Sequence, residues 1–162
     1  MRLTSDDALA TLTIWQEAAG EAYAGKRAVA DVIRNRMRRK YGSDGTVAGT
    51  VAAAFQFSAW NSTKDPNISG LRIASLQLDD ANPVVLDCSR AWQESALGPS
   101  TVGDAVLYVN PKAVVKMPTW ATQGKLQAVV GRHNFYRSMK RTIKGAHRDA
   151  VELRSVMRKG RR

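Results

Sequence analysis

Thr13-Ile14-Trp15-Gln16-Glu17-Ala18-Ala19-Gly20-Glu21 is the stretch on which the reading of this chain turns. It sets two carboxylates four residues apart, with only small residues between them, directly ahead of a second apolar-periodic segment. On a helix that continues to residue 21, Glu17 and Glu21 share one face, with Cβ atoms about 6 Å apart. A glutamate flanked by Ala, Ala and Gly has little local polar support. Enclosure by tertiary packing would raise its proton affinity, as a general acid requires. The same residues also read as a helix C-terminus capped by Gly20, with two solvated glutamates. Both readings are open at this point.

Working outward, Ser5-Asp6-Asp7 predicts a helix start, with Ala8, Leu9, Leu12, Ile14 and Trp15 as apolar surface. Gly20 and Gly25 bracket a short connection, and a longer helix is expected from about Gly25 to Lys40. Val29, Val32, Ile33 and Met37 recur there at helical spacing. Arg34, Arg36, Arg38, Arg39 and Lys40 are expected on its solvated face and last turns, where they complement the helix dipole. Thr46 predicts the cap of a short helix ending near Ala54, and residues 61–70 form a polar loop. Asn82-Pro83 predicts a further helix start, with Pro at the first helical position. Residues 105–109 and 127–130 read as short strands. From about Lys140 the pattern is a basic amphipathic helix with Ala146, Ala150, Leu153 and Met157 as its stripe, frayed at its end.

The 162 residues suffice for one domain with a core of its own. The single cysteine, Cys88, lies in an apolar run and is expected to be a buried, inert thiol. No apolar run approaches the roughly 20 residues needed to span a bilayer. The first residues lack the apolar core of a secretory signal, so synthesis in the cytoplasm is expected. Net charge is +11 and unevenly placed. Residues 1–131 carry 14 Lys/Arg against 12 Asp/Glu (+2), and residues 132–162 carry 11 against 2 (+9). The expected organisation is therefore a nearly neutral domain, 1–139, followed by a cationic helix or tail, 140–162. Such a tail suits a polyanionic partner: nucleic acid, acidic lipid, lipopolysaccharide or an anionic wall polymer.

Several chemistries find no support. Two histidines, no Cys pair and no His-Glu-x-x-His helix leave metal binding without ligands, so no metal and no cofactor are expected. No strained-turn serine motif is present, and no glycine loop has the spacing to cradle phosphate. Acid chemistry on glutamate remains, with aromatics and amides to bind a polar, ring-shaped substrate. Trp15, Tyr23, Phe57, Trp60, Tyr108, Trp120 and Tyr136 suit stacking on sugar faces, although each also fits an ordinary core.

Residues 13–21, followed by Gly25-Lys26-Arg27-Ala28-Val29-Ala30-Asp31-Val32-Ile33-Arg34-Asn35-Arg36, resemble the opening signature of the cell-wall hydrolase family. That family includes spore-cortex-lytic enzymes and several phage endolysins. Its pattern runs Glu-Ala-Arg-Gly-Glu, a glycine, then Ala-Val-Ala-x-Val-Ile-x-Asn-Arg. A Gln-Phe-Ser-x-Trp block follows, which Gln56-Phe57-Ser58-Ala59-Trp60 reproduces. Tyr108 to Pro111, Trp120 and Gly131-Arg132-His133-Asn134-Phe135-Tyr136 look like its later motifs. The ordered match spans roughly residues 8–137, which makes it specific where each piece alone is weak.

The resemblance implies a mainly α, lysozyme-like α+β domain with a small β element, acting on peptidoglycan glycan strands. Glu17 aligns with the family's catalytic glutamate and Glu21 with its second one. Gln56, Ser58 and Trp60 would line the sugar cleft, with Tyr108, His133 and Tyr136 hydrogen-bonding acetamido groups. Position 19 departs from the pattern, with Ala where the family has Arg. The implied reaction is cleavage between N-acetylmuramic acid and N-acetylglucosamine with Glu17 as general acid, by a muramidase or a lytic transglycosylase. An N-acetylmuramoyl-L-alanine amidase is the enzymatic alternative, and a basic nucleic-acid-binding protein the non-enzymatic one.

The cationic C-terminus suits a phage endolysin of a Gram-negative host. Lys140, Arg141, Lys144, Arg148, Arg154, Arg158, Lys159, Arg161 and Arg162 would engage anionic outer-membrane lipid or lipopolysaccharide. On this reading the protein is a monomer with no specific nucleic-acid partner. It would reach the wall in the periplasm after release from the host cytoplasm.

Overall fold

Short polar side chains fix where the helices begin. The Thr4 hydroxyl accepts from the Asp7 N–H while the Asp7 carboxylate accepts from the Thr4 N–H. This reciprocal box starts α1 (Ser5–Ala18) with Thr4, rather than Ser5, as its cap. Helix α2 (Tyr23–Arg39) closes on Lys40 in the left-handed region, φ 50°. The Thr46 hydroxyl accepts from the Gly49 N–H at 2.9 Å to start α3 (Val47–Val51). Asn82 accepts from the N–H groups of Val84 and Val85 ahead of α4 (Pro83–Glu94), with Pro83 where a missing N–H costs nothing. The computed structural model describes residues 4–53, 56–57, 82–140 and 143–157. The polar loop expected at 61–70 lies outside them.

Among the described residues there is one antiparallel sheet of strands β1 (Leu107–Val109), β2 (Leu126–Val130) and β3 (His133–Tyr136), in the order β1-β3-β2. Tyr108 lies opposite Phe135, and Val130 opposite His133 across a turn at Gly131, φ 57°. The flanking strands match the sequence expectation. The central strand, which sequence analysis treated only as a motif, is additional. Helix α5 (Ile143–Val156) follows.

Helices α1, α2 and α4 enclose a core that includes Ala10, Ile14, Val29, Ile33, Cys88 and Trp92. Cys88 has no exposed surface, and burial pushes its thiol up to about 12, so it packs as a small apolar side chain. A second cluster joins the sheet to α5 through Tyr41, Val106, Trp120, Tyr136 and Ala146, with Leu153 and Val156 against it. Among the described residues no helix is long and apolar enough to cross a membrane.

The solvated cationic face expected of α2 is corrected by this packing. Arg36 is only 4% exposed, and Arg34 lies 3.7 Å over the Trp92 ring while donating to Ser95 Oγ at 2.6 Å. Helix α2 is the central helix, touching α1, α3, α4 and the sheet, so few of its positions reach water. The arginines answer carbonyls that irregular backbone leaves without a ladder partner. Arg38, at the outer end, does reach solvent and pairs with Asp104 at 2.9 Å.

Candidate active site

Helix α1 ends at Ala18, three residues short of Glu21, with Ala19 as its C-cap. The shared helical face expected for Glu17 and Glu21 is therefore not formed. Glu17 occupies the last turn of α1, and Glu21 lies in the connection to α2. Both still line one cleft of about 430 Å³, together with Gln56, Tyr108, Arg132 and His133.

Glu17 faces β1. Its Oε2 accepts from the Tyr108 hydroxyl at 2.7 Å, across 91 residues of chain. Burial first, and then the charge of Glu17, hold the Tyr108 phenol well above its usual 10, so it remains a donor. Beneath them the buried Arg36 donates to Val106 O at 2.7 Å and to Gln56 O at 3.1 Å, with its guanidinium 4.5 Å over the Phe57 ring. Asn35, one residue earlier, donates to the carbonyls of Gly103 and Ala105 at 2.8 and 2.9 Å. These two side chains fix the backbone that leads into β1, and so fix where Tyr108 meets Glu17. Burial lowers the proton affinity of Arg36, with Tyr108 and Glu17 among the groups opposing the shift.

Glu21 is held differently. Arg132 donates to its Oε1 from Nε at 2.8 Å and from Nη2 at 2.5 Å, and the Lys26 ammonium donates to its backbone carbonyl. A Cβ on Gly25 would lie 2.6 Å from the Glu21 Cβ, and one on Gly131 2.7 Å from its Oε2. Two glycines therefore leave the space that this side chain, 8% exposed, occupies. A carboxylate gripped by a guanidinium acts as an acceptor that anchors the β2–β3 turn.

His133, on that turn, packs edge-on to Tyr108 with ring centroids 5.6 Å apart, and its Nδ1 lies 3.9 Å from Glu21. Burial lowers its proton affinity, partly opposed by Glu21. Its neutral ring is suited to exchanging hydrogen bonds with a neutral amide.

The structure brings Glu17, Glu21, Gln56, Tyr108 and His133 to one cleft. Tyr136 is elsewhere: it is 4% exposed, packed edge-on to Trp120 and bonded to Asn134, and belongs to the core. Ser58, Trp60, Arg141, Arg158, Lys159, Arg161 and Arg162 lie outside the described residues. Of the remaining tail cations, Lys140 pairs with buried Asp149, Lys144 and Arg148 are exposed, and Arg154 lines the cleft.

Sequence reasoning missed Arg36, Arg132 and the part of α5 that reaches the cleft. Arg36 was visible as the last residue of the Asn-Arg motif. Arg132 occupies the free position of Gly-x-His and offered no signal. Among the described residues no three His, Cys, Asp or Glu side chains converge as metal ligands do.

The Glu17 carboxyl group, met by the Tyr108 hydroxyl, thus lies on an open groove bordered by the end of α1, β1 and the β2–β3 turn. The profile of the cell wall hydrolase family matches residues 20–136, and the chain belongs to that family of cell-wall-degrading enzymes. Glu17 lies just ahead of the matched segment.

Among solved structures, the fold is similar to the catalytic domain of the germination-specific lytic transglycosylase SleB from Bacillus anthracis. The TM-score is 0.59 at 23% identity, covering 83% of this chain and 97% of that one. The catalytic domain of the Bacillus cereus SleB protein is similar at TM-score 0.56 and 22% identity, covering 84% and 93%. These likenesses establish the lysozyme-like α+β fold. No curated protein matches the chain.

Proposed function

We propose that this enzyme cleaves the bond between N-acetylmuramic acid and N-acetylglucosamine in peptidoglycan, with Glu17 as general acid and then general base. The observation that carries the reading is the Glu17 carboxyl on the cleft, oriented by the Tyr108 hydroxyl at 2.7 Å. Glu17 gives its proton to the glycosidic oxygen as the bond to the muramic C1 breaks, leaving an oxocarbenium-like centre. Glycosidases of the usual kind then call on a second carboxylate. Among the described residues lining the cleft the only other carboxylate is Glu21, which Arg132 already engages. The muramic C6 hydroxyl is the alternative nucleophile. It closes onto C1 as the Glu17 carboxylate accepts the C6 hydroxyl's proton, giving a 1,6-anhydro end without consuming water, while the first proton leaves on the N-acetylglucosamine hydroxyl. This favours the lytic-transglycosylase route over the muramidase route, and the fold shared with a lytic transglycosylase is consistent with it.

Mass spectrometry of digested sacculi tests the reading. Anhydro-muramic ends are expected. New reducing ends would replace the transglycosylase route with hydrolysis, and free stem peptides would replace both with amidase chemistry. Glu17→Gln is expected to lower every product by about 10²- to 10⁴-fold at unchanged far-UV CD.

We further propose that the enzyme is a phage endolysin that acts as a monomer on the wall in the periplasm of a Gram-negative host. Support comes from the +9 balance of residues 132–162, which suits the polyanionic lipopolysaccharide of such a cell. Ala146, Leu153 and Val156 of α5 pack against the protein body, so this contact would be electrostatic, through groups such as Lys144 and Arg148. Charge reversal at both positions should slow lysis of intact Gram-negative cells while sparing purified sacculi. Equal rates for variant and wild type on intact cells would remove the lipopolysaccharide contact from the proposal.

A further inference from the structure

Helix α5 begins beyond the family match, which ends at residue 136, yet it forms part of the cleft that holds Glu17. Ala150, Leu153, Arg154 and Met157 line the same cavity as Glu17, Tyr108 and His133. The helix is fixed in rotation as well as in place. Asp149, with no exposed surface, accepts from the Tyr41 hydroxyl at 2.6 Å and from the Lys140 ammonium, and its backbone carbonyl accepts from Trp120 Nε1 at 3.1 Å. Glu152 accepts from both the N–H and the hydroxyl of Thr119. At the far end the Val115 N–H donates to Val156 O at 2.8 Å, and Met157 bridges to Val114. These polar ties, from Asp149 to the C-terminal end of the helix, determine which of its residues meet the cleft. A helix serving only as a cationic tail has no need of them.

The surface so presented is mixed: apolar at Leu153 and Met157, and cationic at exposed Arg154 in the last turn. The sugar backbone of peptidoglycan offers hydroxyls and amides but no free anion. Its anions lie on the stem peptide joined to the muramic lactyl group, whose side chains and backbone carry free carboxylates beside aliphatic groups. We propose that α5 is the peptide-reading wall of the cleft. Arg154 takes a stem-peptide carboxylate, while Leu153 and Met157 pack on the aliphatic part of the same peptide. The proposal rests on the glycan-cleaving reading of Glu17 and adds a specificity determinant to it.

The test compares two substrates on the full chain: glycan strands bearing stem peptides, and the same strands stripped of peptide by an amidase. Wild type is expected to prefer peptide-bearing strands in kcat/KM. An ion pair at an exposed position is modest, so Arg154→Gln should lower that preference about threefold to fivefold, through KM rather than kcat. Arg154→Lys should restore part of it, and Lys144→Gln, on the outer face of the same helix, should leave it in place. Far-UV CD and thermal melting check that α5 stays docked in each variant. An unchanged preference in Arg154→Gln, with glycan cleavage intact, overturns this proposal alone. A wild-type enzyme that releases no glycan ends from either substrate overturns the cleavage reading and this proposal with it.

Discussion

Glu17 and Glu21 are the same residue type four positions apart, and they face two different parts of the sheet. Glu17 looks toward β1, where the Tyr108 hydroxyl meets it and a buried arginine lies behind. Glu21 looks toward the β2–β3 turn, where a guanidinium grips one oxygen and two glycines make room for the side chain. The first environment orients a carboxyl group yet leaves it on an open cleft; the second uses a carboxylate as a structural anchor. The end of α1 at Ala18 separates them, because past that point Glu21 no longer follows the helical path of Glu17. Four-residue spacing therefore does not by itself put two carboxylates on one helical face, and each meets a different partner.

Substitution of the two glutamates is the sharpest way to break this comparison. Loss of a general acid costs about 10²- to 10⁴-fold in rate. Glu17→Gln should therefore lose that much turnover on sacculi, while Glu21→Gln should stay within about tenfold of wild type and mainly lower the melting temperature. Equal losses of kcat in the two variants would restore Glu21 as the second catalytic carboxylate. Next in size is Tyr108→Phe, which deletes one hydrogen bond to a charged group, worth about 1.5 to 3 kcal/mol, or roughly a tenfold to hundredfold fall in kcat. A fall in stability with unchanged kcat would make Tyr108 a packing residue only.

Much of this arrangement could be read from the chain before folding. Caps and apolar periodicity located α1, α2, α3 and α4 to within a few residues, because those signals are local. The ordered motifs selected Glu17 and also pointed to Tyr108 and His133. Contacts between distant residues were not legible. The Tyr108–Glu17 bond joins positions 91 residues apart, and no window of sequence contains both. Arg36 was misread because charged residues are placed in water by default, whereas here unpaired carbonyls at Val106 and Gln56 draw the guanidinium inside. The β3 segment His-Asn-Phe-Tyr lacks the alternation that marks a half-buried strand, and its position between two other strands is a tertiary fact. The apolar stripe of α5 was legible, but a stripe does not name its partner. A membrane and the Tyr41–Trp120 cluster satisfy it equally well on paper.

The glycine that makes room for Glu21 offers a smaller effect that tests the anchor itself. Gly131 has φ 57°, and its added Cβ would lie 2.7 Å from Glu21 Oε2. Gly131→Ala thus carries two penalties: about 1 to 2 kcal/mol for the left-handed backbone, and a further cost for the clash. Only the second depends on Glu21. In an Glu21→Ala background the same substitution should cost less by that second share, a coupling that denaturant melts of the four proteins would resolve. Strict additivity would mean that the turn tolerates Glu21 without being built around it.

The smallest expected effect concerns pH, and it again divides the two sides of the cleft. Burial lowers the proton affinity of His133 in the folded protein relative to its ordinary 6.5, with Arg132 acting in the same direction and Glu21 and Glu17 opposing. Between that lowered value and 6.5 the unfolded chain binds a proton that the folded one does not, so stability rises with pH across this window. The cost is absent above pH 6.5 and grows as the pH falls toward the lowered value, below which it no longer increases. Removing the carboxylate that opposes the shift should deepen the loss: Glu21→Gln is expected to be more acid-sensitive than wild type in this window, and His133→Gln less so. Melting temperatures taken from pH 7.5 down to pH 5 separate these outcomes. A wild-type curve that stays flat across the window would mean that His133 takes up its proton without disturbing Tyr108 or the turn. Its edge-on packing would then be no constraint on the site that Glu17 occupies.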